Sequence, residues 1–99
     1  METELYDASG KGNLERVMLL VEQGADKNQT GGLYETPALS AAARKGHMGI
    51  VRYLVEQGAD LEKANRAGWT PLLYSSINGH LDVTRYLLEQ GANRDKTLY

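Results

Sequence analysis

The side chains in this sequence that are capable of chemistry are few and far apart. Histidine occurs only at His47 and His80, each directly after a glycine, and cysteine does not occur at all. A zinc site needs three or four nitrogen, sulfur or carboxylate ligands converging on one ion. Two histidines 33 positions apart in matching surroundings do not converge, so no metal is expected, and each reads as a residue bonding backbone at a helix start. Ser9-Gly10-Lys11-Gly12 places a lysine among glycines, but a phosphate cradle requires G-x-x-x-x-G-K-[ST] after a strand. Spacing and strand are both missing, and the segment reads as a turn between two helices. No serine, histidine and acid fall together, and no carboxylate pair sits in apolar surroundings that would separate two proton affinities. Catalytic residues and cofactors are therefore not expected. Recognition is what remains. Tyr34 and Trp69 lie in glycine-containing loops, where large aromatics anchor protein contacts. The competing readings are that Trp69 lies flat on the next turn and that Tyr34 fills a gap in an irregular loop.

The elements that must position these residues recur. Gly46 to Asp60, GHMGIVRYLVEQGAD, returns as Gly79 to Asn93, GHLDVTRYLLEQGAN, and occurs earlier as Gly12 to Asp26, GNLERVMLLVEQGAD. The copies start 34 and then 33 positions apart. Such a period marks stacked supersecondary units, none of which can bury its apolar side alone. Glu2 to Lys11 reads as a short first helix with Leu5, Ala8 and Ser9 facing inward. Leu14 to Gln23 reads as a second helix whose stripe is Leu14, Val17, Met18, Leu20 and Val21. The matching stripes are Met48, Val51, Leu54 and Val55, then Leu81, Val83, Leu87 and Leu88, with Tyr53 and Tyr86 in equivalent places. Gly24, Gly58 and Gly91 close the second helix of each unit. Between units, Ala25 to Thr36 and Ala59 to Thr70 lose periodicity and read as extended turns. Each leads into Thr-Pro, where threonine caps and proline enters the first helical turn. Ala41-Ala42-Ala43 and Ser75-Ser76 keep the next short helices slim enough for close approach. Asp7 and Arg16 place charge where Ala41 and Ile50 stand one unit later, as a terminal unit facing water requires.

These residues resemble the ankyrin repeat family, whose pattern runs D-x-x-G-x-T-P-L-H-x-A-A-x-x-G-H-L-x-x-V-x-x-L-L-x-x-G-A-D. The last unit matches through Gly68, Thr70, Pro71, Leu72, Gly79, His80, Leu81, Leu87, Leu88, Gly91 and Ala92. The middle unit matches through Thr36, Pro37, Leu39, Ala42, Ala43, Gly46, His47, Val51, Leu54, Val55, Gly58, Ala59 and Asp60. The histidine of T-P-L-H is missing, with Ser40 and Leu73 near its place, so its hydrogen bonds must be made otherwise or lost. Tyr34 stands where Gly68 leads one to expect glycine, and one extra residue lies between Gly24 and Leu39. Either the turn moves toward Gly31-Gly32, or the helix start carries an insertion near Ala38.

The resemblance implies an all-α solenoid of stacked helix-turn-helix units with short β-hairpin-like turns. It implies a single domain over residues 1–99, with repeats at about 1–33, 34–67 and 68–99 and polar end units. It also implies a partner surface on the concave side, made from turn tips and the exposed side of the short helices. Carried over by position, that surface is Leu33, Tyr34, Glu35, Arg44 and Lys45 in the second unit, and Arg66, Ala67, Trp69, Ile77 and Asn78 in the third. Arg44 and Lys45 can equally be a solvated helix end, whereas Ile77 is apolar where Arg44 stood one unit before. Asn28 occupies the place of the ankyrin asparagine that can be hydroxylated, with Leu20 eight residues before it and Asp26 two. That would make the chain an oxygenase substrate. In its sequon Asn28-Gln29-Thr30 the same residue is also a glycan acceptor on paper.

Composition narrows the function classes. The net charge is -2 with both signs interspersed, which indicates neither a nucleic-acid-binding face nor an acidic tail. No signal-like or membrane-spanning run occurs, and the lack of cysteine fits a reducing compartment, so the expected location is the cytoplasm or nucleus. The expected partner is another protein, bound by a monomer without cofactor, nucleic acid or membrane. The rival reading is a minimal, designed or excised array with no natural partner. An array ending soon after Asn93 allows that, while the irregular turn at Gly31 to Glu35 argues against an idealised design. An enzyme is the third and remotest reading.

Overall fold

The structure is a computed structural model and describes residues 3–92. Six helices alternate with turns: α1 Glu4–Lys11, α2 Leu14–Glu22, α3 Ala38–Lys45, α4 Met48–Glu56, α5 Pro71–Ile77 and α6 Leu81–Glu89. Strands β1 Thr30–Gly31 and β2 Thr36–Pro37 pair antiparallel between α2 and α3, with Thr30 opposite Pro37 and Gly31 opposite Thr36. The expected first-helix residue Glu2, and Asn93 to Tyr99, lie outside the described residues. Helices pair as α1 with α2, α3 with α4 and α5 with α6, and the pairs stack side by side. The leading helices α1, α3 and α5 form an inner row that packs more closely than the outer row α2, α4 and α6. Alanine makes this possible: every residue of α3 from Ala38 to Ala43 is buried. The inner row is therefore the tighter side of a curved stack.

The core runs through the stack as one strip of Leu5, Val17, Leu39, Ile50, Val51, Leu54, Val83 and Leu87, each at most 2% exposed. Leu5, Ala8 and Ser9 point inward as expected. The stripes of the outer helices are narrower than their spacing suggests. Leu14 and Met18 remain 37% exposed and Leu81 73%, because outer helices have neighbours on the inner side and along the stack only. Leu14 leans on the next unit, its Cδ2 placed 3.5 Å from where a Cβ on Gly49 would lie. Leu81 has no such neighbour among the described residues.

Both histidines make the same contact. His47 Nε2 lies 3.3 Å from the Gly10 carbonyl oxygen and His80 Nε2 3.0 Å from that of Arg44. Each therefore bonds backbone, as expected, but at the end of the preceding unit's leading helix and not in its own helix. Each ring covers that helix's C-cap glycine: a Cβ on Gly12 would meet the His47 ring at 2.8 Å and one on Gly46 the His80 ring at 2.6 Å. Asn13 replaces the histidine in the first unit and caps α2 through Oδ1, accepting from the Arg16 amide. That side chain thus serves its own helix.

The Thr-Pro pairs behave differently in the two units. Thr70 is the N-cap of α5, its Oγ1 accepting from the Leu73 amide, and Pro71 starts the helix. In the second unit Thr36 belongs to β2 and Pro37 is itself the N-cap, without a side-chain cap bond. The αL residue matching Gly68 (φ 87) is Glu35 (φ 51), not Tyr34. Counted back from Gly46, Pro37 falls on Thr70 and Glu35 on Gly68, so there is no insertion near Ala38. Counted forward, the Asp26–Asn28 and Asp60–Glu62 turns match bond for bond. The extra residue thus lies within Gln29 to Gly31, where the chain forms its hairpin. Tyr6 packs its ring over Gly31 and its hydroxyl against Gly32.

Two substitutions separate backbone strain from ring packing. Gly79 has a φ of 76 like Gly46, but open space where a side chain would go. Gly79→Ala is expected to cost about 1 kcal/mol in urea unfolding, the strain of an alanine in the left-handed region. Gly46→Ala should cost at least about 1 kcal/mol more, because the His80 ring and its bond must also give way. Equal costs would show that the histidine contact contributes nothing.

Candidate functional site

A polar network aligns the loops before any side chain is offered to a partner. Asn65, only 7% exposed, accepts at Oδ1 from the amides of Ala67 and Trp69, both at 3.0 Å, and so closes its own turn. Its Nδ2 donates to Thr36 Oγ1 at 3.1 Å and to the Tyr74 hydroxyl at 2.9 Å. One amide thereby ties the third turn to the preceding hairpin and to the following helix. Buried polar groups that are satisfied on all sides hold a single arrangement, since each broken bond leaves a costly orphan. Gln29 does similar work one unit earlier. Its Oε1 accepts from the Leu5 amide at 2.8 Å and the Tyr6 amide at 3.3 Å, capping α1, while its carbonyl accepts from Ala38. At the family histidine's place the bonds are lost, for Ser40 Oγ is buried without a partner among the described residues and Leu73 has no polar side chain.

The turn tips meet as a result. The Arg66 amide donates to the Tyr34 carbonyl at 2.7 Å, so Leu33, Tyr34 and Glu35 stand beside Arg66 and Ala67, all of them exposed. Leu33 is 82% and Tyr34 54% exposed. Tyr34 therefore fills no gap, and Tyr6 packs against Gly31 and Gly32 instead. Trp69 lies flat, not on the next turn but on Tyr74 of α5, with ring centroids 5.0 Å apart and planes 29° from parallel. The Arg44 guanidinium sits 6.0 Å from the Tyr74 centroid, within the range of a cation–π contact. Arg44 and Lys45 also line an open groove of about 270 Å³ between α1 and α3, together with Tyr6, Asp7, Lys11 and Ala41. Ile77, 67% exposed, and Asn78 repeat the positions of Arg44 and Lys45 at the end of α5. Asn78 is held there by its Nδ2 donating to the Tyr74 carbonyl at 3.0 Å.

The aligned row thus contains residues that positional reasoning left out: Tyr6, Lys11, Asn65 and Tyr74. Tyr74 carried a signal, being a large aromatic where the preceding units have Ala41 and Asp7. Asn65 carried none for its role between elements, because the partners of its Nδ2 lie 29 and 9 positions away. Asn28 is engaged across the unit boundary, its Oδ1 accepting from the Asp60 amide at 2.8 Å. On the outer row, burial of Tyr86, helped by Glu56 and opposed by Arg52, pushes its phenol pKa up. That phenol stays protonated at neutral pH.

A family model described as three copies of ankyrin repeats matches residues 5–97. The chain is an ankyrin-repeat protein. No curated protein matches it. Six helices in stacked pairs with one short hairpin are the all-α solenoid the resemblance implied. Ankyrin repeats generally mediate protein–protein interaction and are typically non-enzymatic. Among the described residues no helix is long and apolar enough to cross a membrane.

The network makes a graded prediction. Asn65→Ala removes four hydrogen bonds and is expected to cost about 2–3 kcal/mol in urea unfolding, while Tyr74→Phe, which removes one, should cost about 1 kcal/mol or less. Matching losses of backbone amide protection at Ala67 and Trp69, seen by hydrogen exchange, should accompany Asn65→Ala alone. Unchanged exchange there would show that the turn holds without the asparagine.

Proposed function

We propose that this ankyrin-repeat chain is a non-enzymatic binding module, acting as one domain and as a monomer, that grips another protein along its inner face. The contact residues are Leu33, Tyr34, Glu35, Arg44 and Lys45 of the second unit and Arg66, Ala67, Trp69, Ile77 and Asn78 of the third. The observation that carries this reading is the direct bond between the two turn tips, Arg66 to Tyr34, beside the Trp69–Tyr74–Arg44 stack. Apolar and aromatic groups stand out from a backbone that is already hydrogen-bonded in place. A surface fixed in advance loses little conformational entropy on binding, so a few anchors suffice. The cysteine-free sequence and mixed charge support action in the cytoplasm or nucleus without cofactor or nucleic acid.

The test is crosslinking capture from a cell extract, with the chain as bait and quantification by mass spectrometry. Trp69→Ala combined with Arg66→Ala should lower specific capture about thirtyfold, as expected for losing a hot spot of about 2 kcal/mol, with helical circular dichroism unchanged. Capture unaffected by the pair would dismiss this face. No specific capture even by the unaltered chain would favour a scaffold without a natural partner.

A further inference from the structure

We infer that the inner face takes an acidic, extended segment of its partner, with carboxylates at Lys11, Arg44 and Lys45 and an apolar side chain against Trp69 and Tyr74. This deepens the inner-face reading above and rests on it. The charge on this face runs against that of the chain. Lys11, Arg44, Lys45 and Arg66 are exposed on the leading helices and turn tips, opposed among the described residues by Asp7 and Glu35, while Glu4 at the start of α1 is taken up by Arg16, although the chain as a whole carries -2. The outer helices show the reverse, with Glu15, Glu22, Glu56, Asp82 and Glu89 against Arg16, Arg52 and Arg85. A negative segment is thus drawn to one side of the stack and repelled from the other.

The four cations also lack anionic partners among the described residues, Arg44 having only its contact over the Tyr74 ring. Among the described residues none of them forms an ion pair or a side-chain hydrogen bond, whereas Arg16 on the outer row is paired with Glu4 at 3.2 Å. The bland account of Lys11, Arg44 and Lys45 is that they neutralise the negative ends of α1 and α3. Those ends are already satisfied in part by other groups. Gly12 and Asn13 amides reach the Ala8 carbonyl, Gly46 and His47 amides reach those of Ala43 and Ala42, and the two histidine rings take the carbonyls of Gly10 and Arg44. Helix capping therefore uses backbone and histidine, and the cationic heads are left to face the groove. Arg44 joins the two halves of the surface, lining the groove and lying over Tyr74, which in turn stacks on Trp69.

Size sets the form of the ligand. Three helices packed at about 8–10 Å between axes span about 16–20 Å, which an extended chain covers in about six residues. Carboxylates followed by an aromatic or aliphatic side chain satisfy both ends of such a track. A nucleic acid fits it less well, since four cations among two acids neutralise few phosphates and the outer face repels the remainder.

The experiment selects displayed random peptides about twelve residues long, twice the span of the track, on the intact chain. Binding of the synthesised winners is then measured by fluorescence anisotropy at several salt concentrations. Selected peptides should be rich in Asp and Glu around an apolar residue, and their affinity should fall steeply with salt, because screening shortens the Debye length from about 10 Å at 0.1 M to about 3 Å at 1 M. Lys11→Glu with Lys45→Glu should weaken them at least about tenfold; Lys11→Gln with Lys45→Gln should act in the same direction without placing an acid at a helix end. Peptides without acidic enrichment, lost on Trp69→Ala but indifferent to both lysine pairs, would overturn this inference and leave the inner-face reading standing. Peptides indifferent to Trp69→Ala and Arg66→Ala would overturn both. Tighter binding of a single-stranded oligonucleotide than of any peptide would overturn the acidic-segment inference by assigning the cations to phosphate.

Discussion

Everything in this molecule depends on how closely the three leading helices approach one another. A unit of two helices has one apolar side too many, and it folds only if a neighbour covers that side. The cover here is thin. Apart from Leu39, Ala38 to Ala43 present only alanine methyl groups and a serine, so α1 and α5 settle onto α3 with little between the backbones. Gly10 does the same from the other helix, since a Cβ placed there would stand 3.8 Å from the Ala41 methyl. Larger residues along this row would wedge the units apart, and the curvature that gathers the loops on one side would go with them.

Polar contacts then convert a stack held by unspecific burial into one register. His47 and His80 reach back over glycine to a carbonyl, Gln29 caps α1 from the hairpin, and Asn28 and Asn65 bond across unit boundaries. Each bond contributes only about 1 kcal/mol, and slippage is costliest at Asn65–Thr36, where a buried donor and acceptor would lose their partners. The end units show the same logic by its absence. Asn13 turns to its own helix, and among the described residues Gly79 faces open space while Ile77 and Leu81 stay exposed.

The consequence for function is a division between the two sides of the stack. The outer helices present mixed and mainly acidic side chains together with exposed Leu14, Met18, Leu19, Leu81 and Leu88, and a protonated, buried Tyr86. The inner face presents exposed aromatic and aliphatic groups beside cations that have no ion pair among the described residues. Because the loops are bonded to each other, these groups are held at fixed separations before any partner arrives. On the proposed reading, such an arrangement recognises shape and charge.

How much of this could be read in the sequence depends on the distance between the groups concerned. Period, helix positions, closing glycines and the buried stripe residues Val17, Val51, Leu54, Val83 and Leu87 follow from local spacing, because helical geometry is set by residues three and four apart. The concave residues were nominated by position, and the turn tips among them do stand together. Tertiary structure alone decided that Glu35 takes the left-handed conformation, that Pro37 replaces Thr36 at the cap, and that Trp69 rests on Tyr74. It also decided that Asn65 and Gln29 hold the loops in line. Those outcomes rest on hydrogen bonds and ring contacts between groups in different units, where one added residue in the hairpin shifts every partner and no periodic pattern records the change.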